Sequence, residues 1–263
     1  MGMDLGGVAP GKLADILVFD DLMKLKPKKI FVGGMLVLSN GTIVSKIKKH
    51  TVPKWMTKTV KLNKFTEDNF SIKSHSDLVD VNVIDMKTEI ITKKGHETLS
   101  VKDENVIPSY DKDVWKVAAF DRTFGSTKHA VGFLKNFGPR IGAFASTWSF
   151  HENNMIVIGS NEKDMAIAAN SLLRTQGGMV VVYKGKILSS MPLQMAGILS
   201  TDSFEKTSKN FSNINNVLLD SGCKFKKPHL IPLFLPFLAL PEIRILYQGL
   251  IDVKSRSFLK TIV

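Results

Sequence analysis

The sequence has a single cysteine, Cys223, so no internal disulfide can form and a reducing compartment is expected. It also lacks any long hydrophobic run. The most apolar stretch, 231–240, is broken by Pro232 and Pro236 and is about half the roughly 20 residues that a membrane span requires. Its opening, Met1-Gly2-Met3-Asp4-Leu5-Gly6-Gly7, carries neither a basic nor an apolar leader segment, so a cytoplasmic protein without membrane attachment is expected. Clustered metal ligands are missing too. The six histidines, His50, His75, His96, His129, His151 and His229, stand at least 21 residues apart, with no His-x-His, His-Glu-x-x-His or Cys-x-x-Cys pair. A catalytic zinc, manganese or iron site draws on three or more converging ligands, so this chain is expected to bind no metal of its own. Gly159-Ser160-Asn161 falls short of a G-x-G-x-x-G turn, and Gly177-Gly178 sits at the wrong end of its helix to cradle phosphate, so no nucleotide cofactor is expected. Cys223 has no motif around it and reads as a packing residue rather than a nucleophile. Acidic residues are scarce as well, 24 against 36 Lys and Arg, for a net charge of +12. Residues 1–64 alone hold twelve lysines against four aspartates and no glutamate. With arginine rare and no helix-turn-helix, zinc-finger or RNP-type aromatic pattern, this charge reads as a solvated lysine-rich surface rather than a nucleic-acid interface.

What is present is an ordinary globular composition, 44% hydrophobic and 23% charged over 263 residues, long enough for two domains. Ile16 to Phe19 and Ile30 to Val32 are β-prone runs bounded by Pro and Gly. Asn40-Gly41 tolerates the positive φ angles of a type I′ turn, pairing Met35 to Leu38 with Thr42 to Ser45 as a hairpin. Residues 47–77 are polar and weakly periodic, which suits a lysine-rich linker or excursion. Beyond it, Leu78 to Thr92 reads as a strand or strand pair and Trp115 to Phe120 as another strand. The most legible unit is a strand at Met155 to Ile158, a helix from Asn161 to Gln176 and a strand at Met179 to Val182. Met165, Ala168, Ala169, Leu172 and Leu173 recur at helical spacing on one face, Asn161 is placed to cap the helix, and Gly177 to take the left-handed position after it. A crossover of that length implies parallel strands. Lys184-Gly185 turns the chain into a hairpin, a second helix falls within Ser203 to Leu219, and the Leu- and Pro-rich tail after it is expected to be buried but irregular. The fold class expected is α/β (α+β), with a mixed sheet containing one βαβ unit.

Chemistry-bearing residues concentrate in 144–154. There His151, Glu152, Asn153 and Asn154 place an imidazole, a carboxylate and two amides in four consecutive positions before a strand. Such a cluster can bind or protonate a ligand, or satisfy its own turn through Asx-type hydrogen bonds. Asp121-Arg122 is open in the same way, as a surface ion pair or an anion-binding arginine.

Gly7-Val8-Ala9-Pro10-Gly11-Lys12-Leu13-Ala14-Asp15-Ile16-Leu17-Val18 resembles the G-x-I-x-x-G-K-x-A-D-[IL] return strand of amidohydrolase-superfamily enzymes, which follows the metal-bearing (β/α)8 barrel and helps complete a small β-sandwich. Further stretches resemble the C-terminal domain of bacterial adenine deaminases. They are Gly132 to Gly138, Arg140 to Thr147, Ile156 to Gly159, Asp164 to Asn170, Gly177 to Val182, Lys184 to Leu188, Ala196 to Ser200, Phe237 to Pro241 and Gly249 to Val253. In that family the loop after Ala-Ser-Thr commonly reads His-Asp-x-His-Asn. Here Phe150-His151-Glu152-Asn153-Asn154 occupies it, so Phe150 and Asn153 stand in place of histidines and Asn154 matches.

The resemblance implies a chain of three parts: a partial β-sandwich over 1–46 with an open edge, the linker 47–77, and a C-terminal α/β domain over 78–263. It implies the C-terminal part of an enzyme of purine salvage that converts adenine and water to hypoxanthine and ammonia, in which a divalent metal, manganese or iron, supplies the hydroxide. That metal would sit on a barrel supplied in cis or in trans, and the chain without it would be inactive. Adenine, the barrel and further copies of the chain are the implied partners, and the loop His151, Glu152, Asn153 and Asn154 would face the barrel mouth. The alternative is a non-catalytic interaction or scaffold domain.

Overall fold

The computed structural model describes residues 4–46, 51–150 and 152–263 and divides into two compact units, 1–51 and 52–263. In the first, strands β1 (Ile16–Val18), β2 (Lys29–Val32), β3 (Met35–Ser39) and β4 (Thr42–Ile43) form one antiparallel sheet in that order. The expected hairpin is there. Leu38 pairs with Ile43 across Asn40 (φ 48°) and Gly41 (φ 80°), two consecutive left-handed residues that match the right-handed twist of the strands. No described residue of this unit is buried, and Val8, Leu22, Met23 and Met35 are largely exposed. The sheet is thus a single layer whose apolar side chains have no facing layer within the unit.

The second unit is built on a nine-stranded mixed sheet. Its strands are β5 (Leu78–Met86), β6 (Thr92–Lys102), β7 (Asn105–Val106), β8 (Val114–Asp121), β9 (His129–Lys135), β10 (Ala143–Ser146), β11 (Asn154–Gly159), β12 (Gly178–Tyr183) and β13 (Lys186–Pro192). In space they run β13-β12-β10-β11-β8-β9-β5-β6-β7, with β5 and β9 parallel and the other neighbours antiparallel. Helix α1 (Glu162–Thr175) crosses from β11 to β12, and α2 (Phe204–Asp220) follows β13. Both strands joined by α1 run antiparallel to β10, so they are parallel to each other as expected, with β10 inserted between them.

Alternation at period two assigns the faces. Trp115, Val117, Ala119, Phe144, Ile156, Ile158, Met179 and Val181 point into one core with Ile214 and Leu218 of α2 and with the C-terminal tail. Ala118, Phe120, Ala143, Ala145, Met155, Val157, Val180 and Val182 point into the other with α1. Strands covered on both faces read as continuous apolar runs. The tail contributes the short helix α3 (Ile231–Phe234), where an irregular path was expected, and an antiparallel sheet of β14 (Ile243–Leu246), β15 (Gly249–Asp252) and β16 (Ser257–Leu259). Among the described residues no helix is long and apolar enough to cross a membrane.

Two expectations change. The division falls between Thr51 and Val52, and residues 52–77 pack with the larger unit rather than linking two. Phe65 and Phe70 lie in the α1-side core, edge-on to Phe120 with ring centroids 4.8 Å and 5.5 Å away. Few and irregularly spaced, these anchors are hidden among lysines. In α1, Asn161 accepts the Asp164 amide at 2.8 Å as expected, but the left-handed residue after the helix is Gln176 (φ 58°), not Gly177. Gly177 (φ 120°) is needed for a different reason: a Cβ there would lie 2.5 Å from Gly197 Cα and 2.8 Å from Thr147 Oγ1.

Candidate functional site

Antiparallel pairing brings the C-terminal ends of β8 and β10 to the same edge of the sheet as the N-terminal ends of β11 and β12. Asp121, Arg122, Thr147, Asn153, Asn154 and Gly178 therefore meet there, under the loop 193–200. Asp121 pairs across the sheet with Asn154 and folds back on its own turn, its Oδ1 accepting the amides of Thr123 at 3.1 Å and Phe124 at 3.3 Å. Arg122 does not pair with it. The guanidinium is 2% exposed, and its Nη1 donates to Ala196 O at 3.1 Å and its Nη2 to Asn153 Oδ1 at 3.0 Å. Its Nε has no hydrogen-bond partner among the described residues. Burial pushes the guanidinium down to about 10. The surface ion pair considered from the sequence is thus corrected: Asp121 is a turn residue, and Arg122 is a buried cation that no described carboxylate meets.

Both acceptors of Arg122 belong to residues in the left-handed region, Asn153 (φ 53°) and Ala196 (φ 54°). Asparagine tolerates this conformation. Alanine does so at a cost, and such strain collects at functional positions. Gly197 (φ 70°) lies flat against the guanidinium, where a Cβ would stand 2.8 Å from Nη1. The loop is held from below by Thr147, whose Oγ1 donates to Gly197 O at 2.6 Å and accepts the Gly178 amide at 2.8 Å, and laterally by the Ala196 amide on Met56 O at 2.7 Å.

The residues singled out from the sequence come together in one turn but reach different partners. His151 lies outside the described residues. Glu152 accepts the Leu238 amide at 3.3 Å. Asn153 holds Arg122. Asn154, 1% exposed, donates from Nδ2 to Glu152 O at 3.0 Å and accepts the Tyr247 amide at 2.9 Å, tying the turn to the β14–β15 connection. Trp148 packs edge-on against Phe211 at 5.6 Å, and Phe150 lies tilted against Phe237 at 4.6 Å. The aromatics thus anchor the segment while its polar groups bind backbone and Arg122. Thr147, Ala196 and Gly197 were not singled out, and only the small residues of Ala196-Gly197 hinted at a close approach. Among the described residues no three His, Cys, Asp or Glu side chains stand where they could hold a metal ion together, so these residues do not fit the metal centre that the resemblance implies.

Comparison with known proteins gives this site its context. The sequence profile of the adenine deaminase C-terminal domain matches residues 89–257. An adenine deaminase from Cenarchaeum symbiosum (strain A) is 50% identical over 262 residues, covering 100% of this chain and 43% of that protein. One from Clostridium botulinum (strain Langeland / NCTC 10281 / Type F) is 34% identical over 266 residues, 100% of this chain and 44% of its own length. One from Kosmotoga olearia is 29% identical over 254 residues, 97% and 44% respectively. The chain therefore spans less than half the length of these relatives. With more than half of its residues inside the matched domain, it belongs to the adenine deaminase C-terminal domain family.

Proposed function

We propose that the chain acts as the C-terminal part of an adenine deaminase, the hydrolysis of adenine to hypoxanthine and ammonia being carried out with a metal-bearing portion that these residues do not supply. The observation that carries this reading is the match over the whole chain, at 50% identity, to a protein named adenine deaminase of which it covers 43%. The uncovered apolar sheet of the first unit is consistent with it, because apolar side chains without a facing layer are what remains when half of a two-layer structure belongs to another segment. On this reading the sheet edge that carries Arg122 and the loop 148–154 is turned toward the catalytic portion. The loop acts as a lid or a support for the substrate site.

The test is ammonia release from adenine with added manganese or iron, by the purified chain alone and by the chain co-produced with the barrel portion of the Cenarchaeum symbiosum relative. No release by the chain alone and activity in the pair are expected. Turnover by the chain alone at ordinary enzyme rates, about 1 to 1,000 per second, would overturn the reading. Stable capture of the barrel portion without activity would favour the scaffold alternative.

A further inference from the structure

Arg122 is a buried charge that no described carboxylate meets. Two of its five N–H donors are used, both on neutral acceptors, and Nε has no hydrogen-bond partner. The comparison within the chain is Arg244, 1% exposed. Its Nη1 is also without a hydrogen-bond partner among the described residues, but its Nε and Nη2 donate to Leu240 O, Pro241 O and Ile90 O, so it ties down three carbonyls of its surroundings and has Glu242 nearby. A structural role accounts for Arg244. Arg122 reaches one carbonyl and one side-chain amide, both on residues in the left-handed region, of which Ala196 is there at a cost.

A guanidinium removed from water without a counter-charge is unfavourable, and its planar fork matches the two oxygens of an oxyanion. We propose that Arg122 is an anion-receiving site, taking a carboxylate or a phosphate group at its unused Nε edge, with Asn153 and Ala196 fixing the plane of the guanidinium and Gly197 leaving its face unobstructed by a side chain. Because the guanidinium is 2% exposed, entry requires the loop 193–200 to shift. That loop is held over the site by the Ala196 amide on Met56 O, by Thr147 on Gly197 O, by Arg122 itself on Ala196 O and, at its start, by the Leu193 amide on Gly177 O, separate bonds rather than the continuous ladder of a helix or strand. The inference concerns binding by this chain and does not depend on adenine turnover.

The test uses the full chain with acetate and inorganic phosphate as probes, each compared with chloride at equal ionic strength. Thermal melts are followed for the wild type and Arg122→Met. A saturable rise in Tm of several degrees is expected for the wild type with acetate, phosphate or both, and no such rise for Arg122→Met. In chloride the variant sets relief of a lone buried charge against the loss of hydrogen bonds to Ala196 O and Asn153 Oδ1, so its Tm there serves as the baseline for its own anion response. Acetate alone would identify a carboxylate as the ligand class, phosphate alone a phosphate ester. Because phosphate stabilises proteins generally, the difference between the two proteins is the reading that counts. A second measurement needs no substitution. The chain has five arginines, and in the 15N-arginine-labelled protein the Arg122 Nε–H resonance should move on titration while that of Arg244 stays. Equal anion responses in wild type and variant, or an Arg122 resonance that does not move, would overturn the proposal.

Discussion

The buried pair between Lys116 and Glu162 sets a quantitative test of how the α1 face is held. Lys116 lies in the middle of β8 and is 0% exposed. Its Nζ donates to Phe70 O at 3.1 Å, to Asn105 Oδ1 at 3.0 Å and to Glu162 Oε1 on the first turn of α1. Asn105 donates in turn to Glu162 at 2.7 Å and accepts the Ile72 amide at 2.9 Å. One ammonium therefore joins the central sheet, the helix and the segment carrying Phe70. Burial pushes the Lys116 ammonium below its ordinary value, with Glu162 acting against that shift. At Glu162 burial works to raise the carboxyl, but the Lys116 hydrogen bond and charge bring it below its ordinary value. Removing one partner of such a pair costs about 3–5 kcal/mol, whereas replacing both by uncharged groups of similar volume is close to neutral. Glu162→Gln is the more severe single change, because Lys116 has no solvent to turn to, while Glu162 is 18% exposed and keeps Asn105. We expect Glu162→Gln to cost at least about 3 kcal/mol, or about 6–12 °C in Tm at about 2–4 °C per kcal/mol for a unit of this size. Lys116→Met should cost less, and the double variant should fall well short of the sum. Urea melts of all four proteins give the coupling energy, expected at about 1–3 kcal/mol. In Glu162→Gln the lysine loses the partner that raises it, so its folded-state value falls further. The folded state then binds fewer protons than the unfolded one, and the variant should gain stability as pH rises toward the lysine range. Additive losses, with the double variant at the full sum, would refute the reasoning.

Other outcomes follow from single groups. His229, 7% exposed and hydrogen-bonded to Asn215 at 2.7 Å, is pushed down to about 4 by burial, with the Lys227 charge adding to the shift. The unfolded chain therefore binds a proton that the folded chain refuses between about pH 6.5 and 4, and stability should fall as pH drops through that window, by at most about 3 kcal/mol. Urea midpoints against pH should show this slope in the wild type and its loss in His229→Phe. Gly142→Ala places a Cβ 1.7 Å from Asp164 Oδ2, the carboxylate that accepts the amides of Lys184 and Gly185 at 3.0 Å and 2.8 Å. It should destabilise the chain by about 2 kcal/mol or more in the same melts, as overpacking of a buried hydrogen-bonded site does. In a reconstituted barrel-plus-domain enzyme, His151→Ala and Glu152→Ala should slow turnover or raise KM with Tm nearly unchanged. Asn154→Ala, which strands the Tyr247 amide, should cost about 1–3 kcal/mol; unchanged kinetics in the first two would end the functional reading of the loop.

Elements with strong local signals were legible in the sequence. The α1 stripe, its Asn161 cap, the Asn40-Gly41 turn and the apolar runs of β8, β11 and β12 follow from residue type and spacing alone. Strand β10 was passed over because Ala143-Phe144-Ala145-Ser146 is made of small residues with weak β preference. It is a strand because α1 packs closely on one of its faces and the core containing α2 on the other. Residues 52–77 escaped because surface lysines outnumber the anchors Phe65 and Phe70. At the site, the turn 152–154 was visible as a polar cluster. The burial of Arg122 was not, since a charged residue beside an aspartate at a strand end is ordinarily solvated. Its partners Asn153 and Ala196 come from loops 31 and 74 residues away in sequence, beyond the reach of any local pattern.

The way the two faces of the large sheet are covered has a kinetic consequence. The α1 face is closed by a helix lying between the strands it covers, whose contacts are short in sequence. The opposite face waits for the tail: Leu250 packs on Gly132 of β9, and Asn82 of β5 donates to Lys260 O and from its amide to Thr261 O. Pairings of that separation carry a large loop-closure entropy and form late. The part of that face lying under β14 and β15 is therefore covered after α2 and the segment 231–235 have closed the rest, and in refolding it should be the slower phase. Pulsed hydrogen exchange should accordingly find the amides of α1 protected before those of β14 and β15.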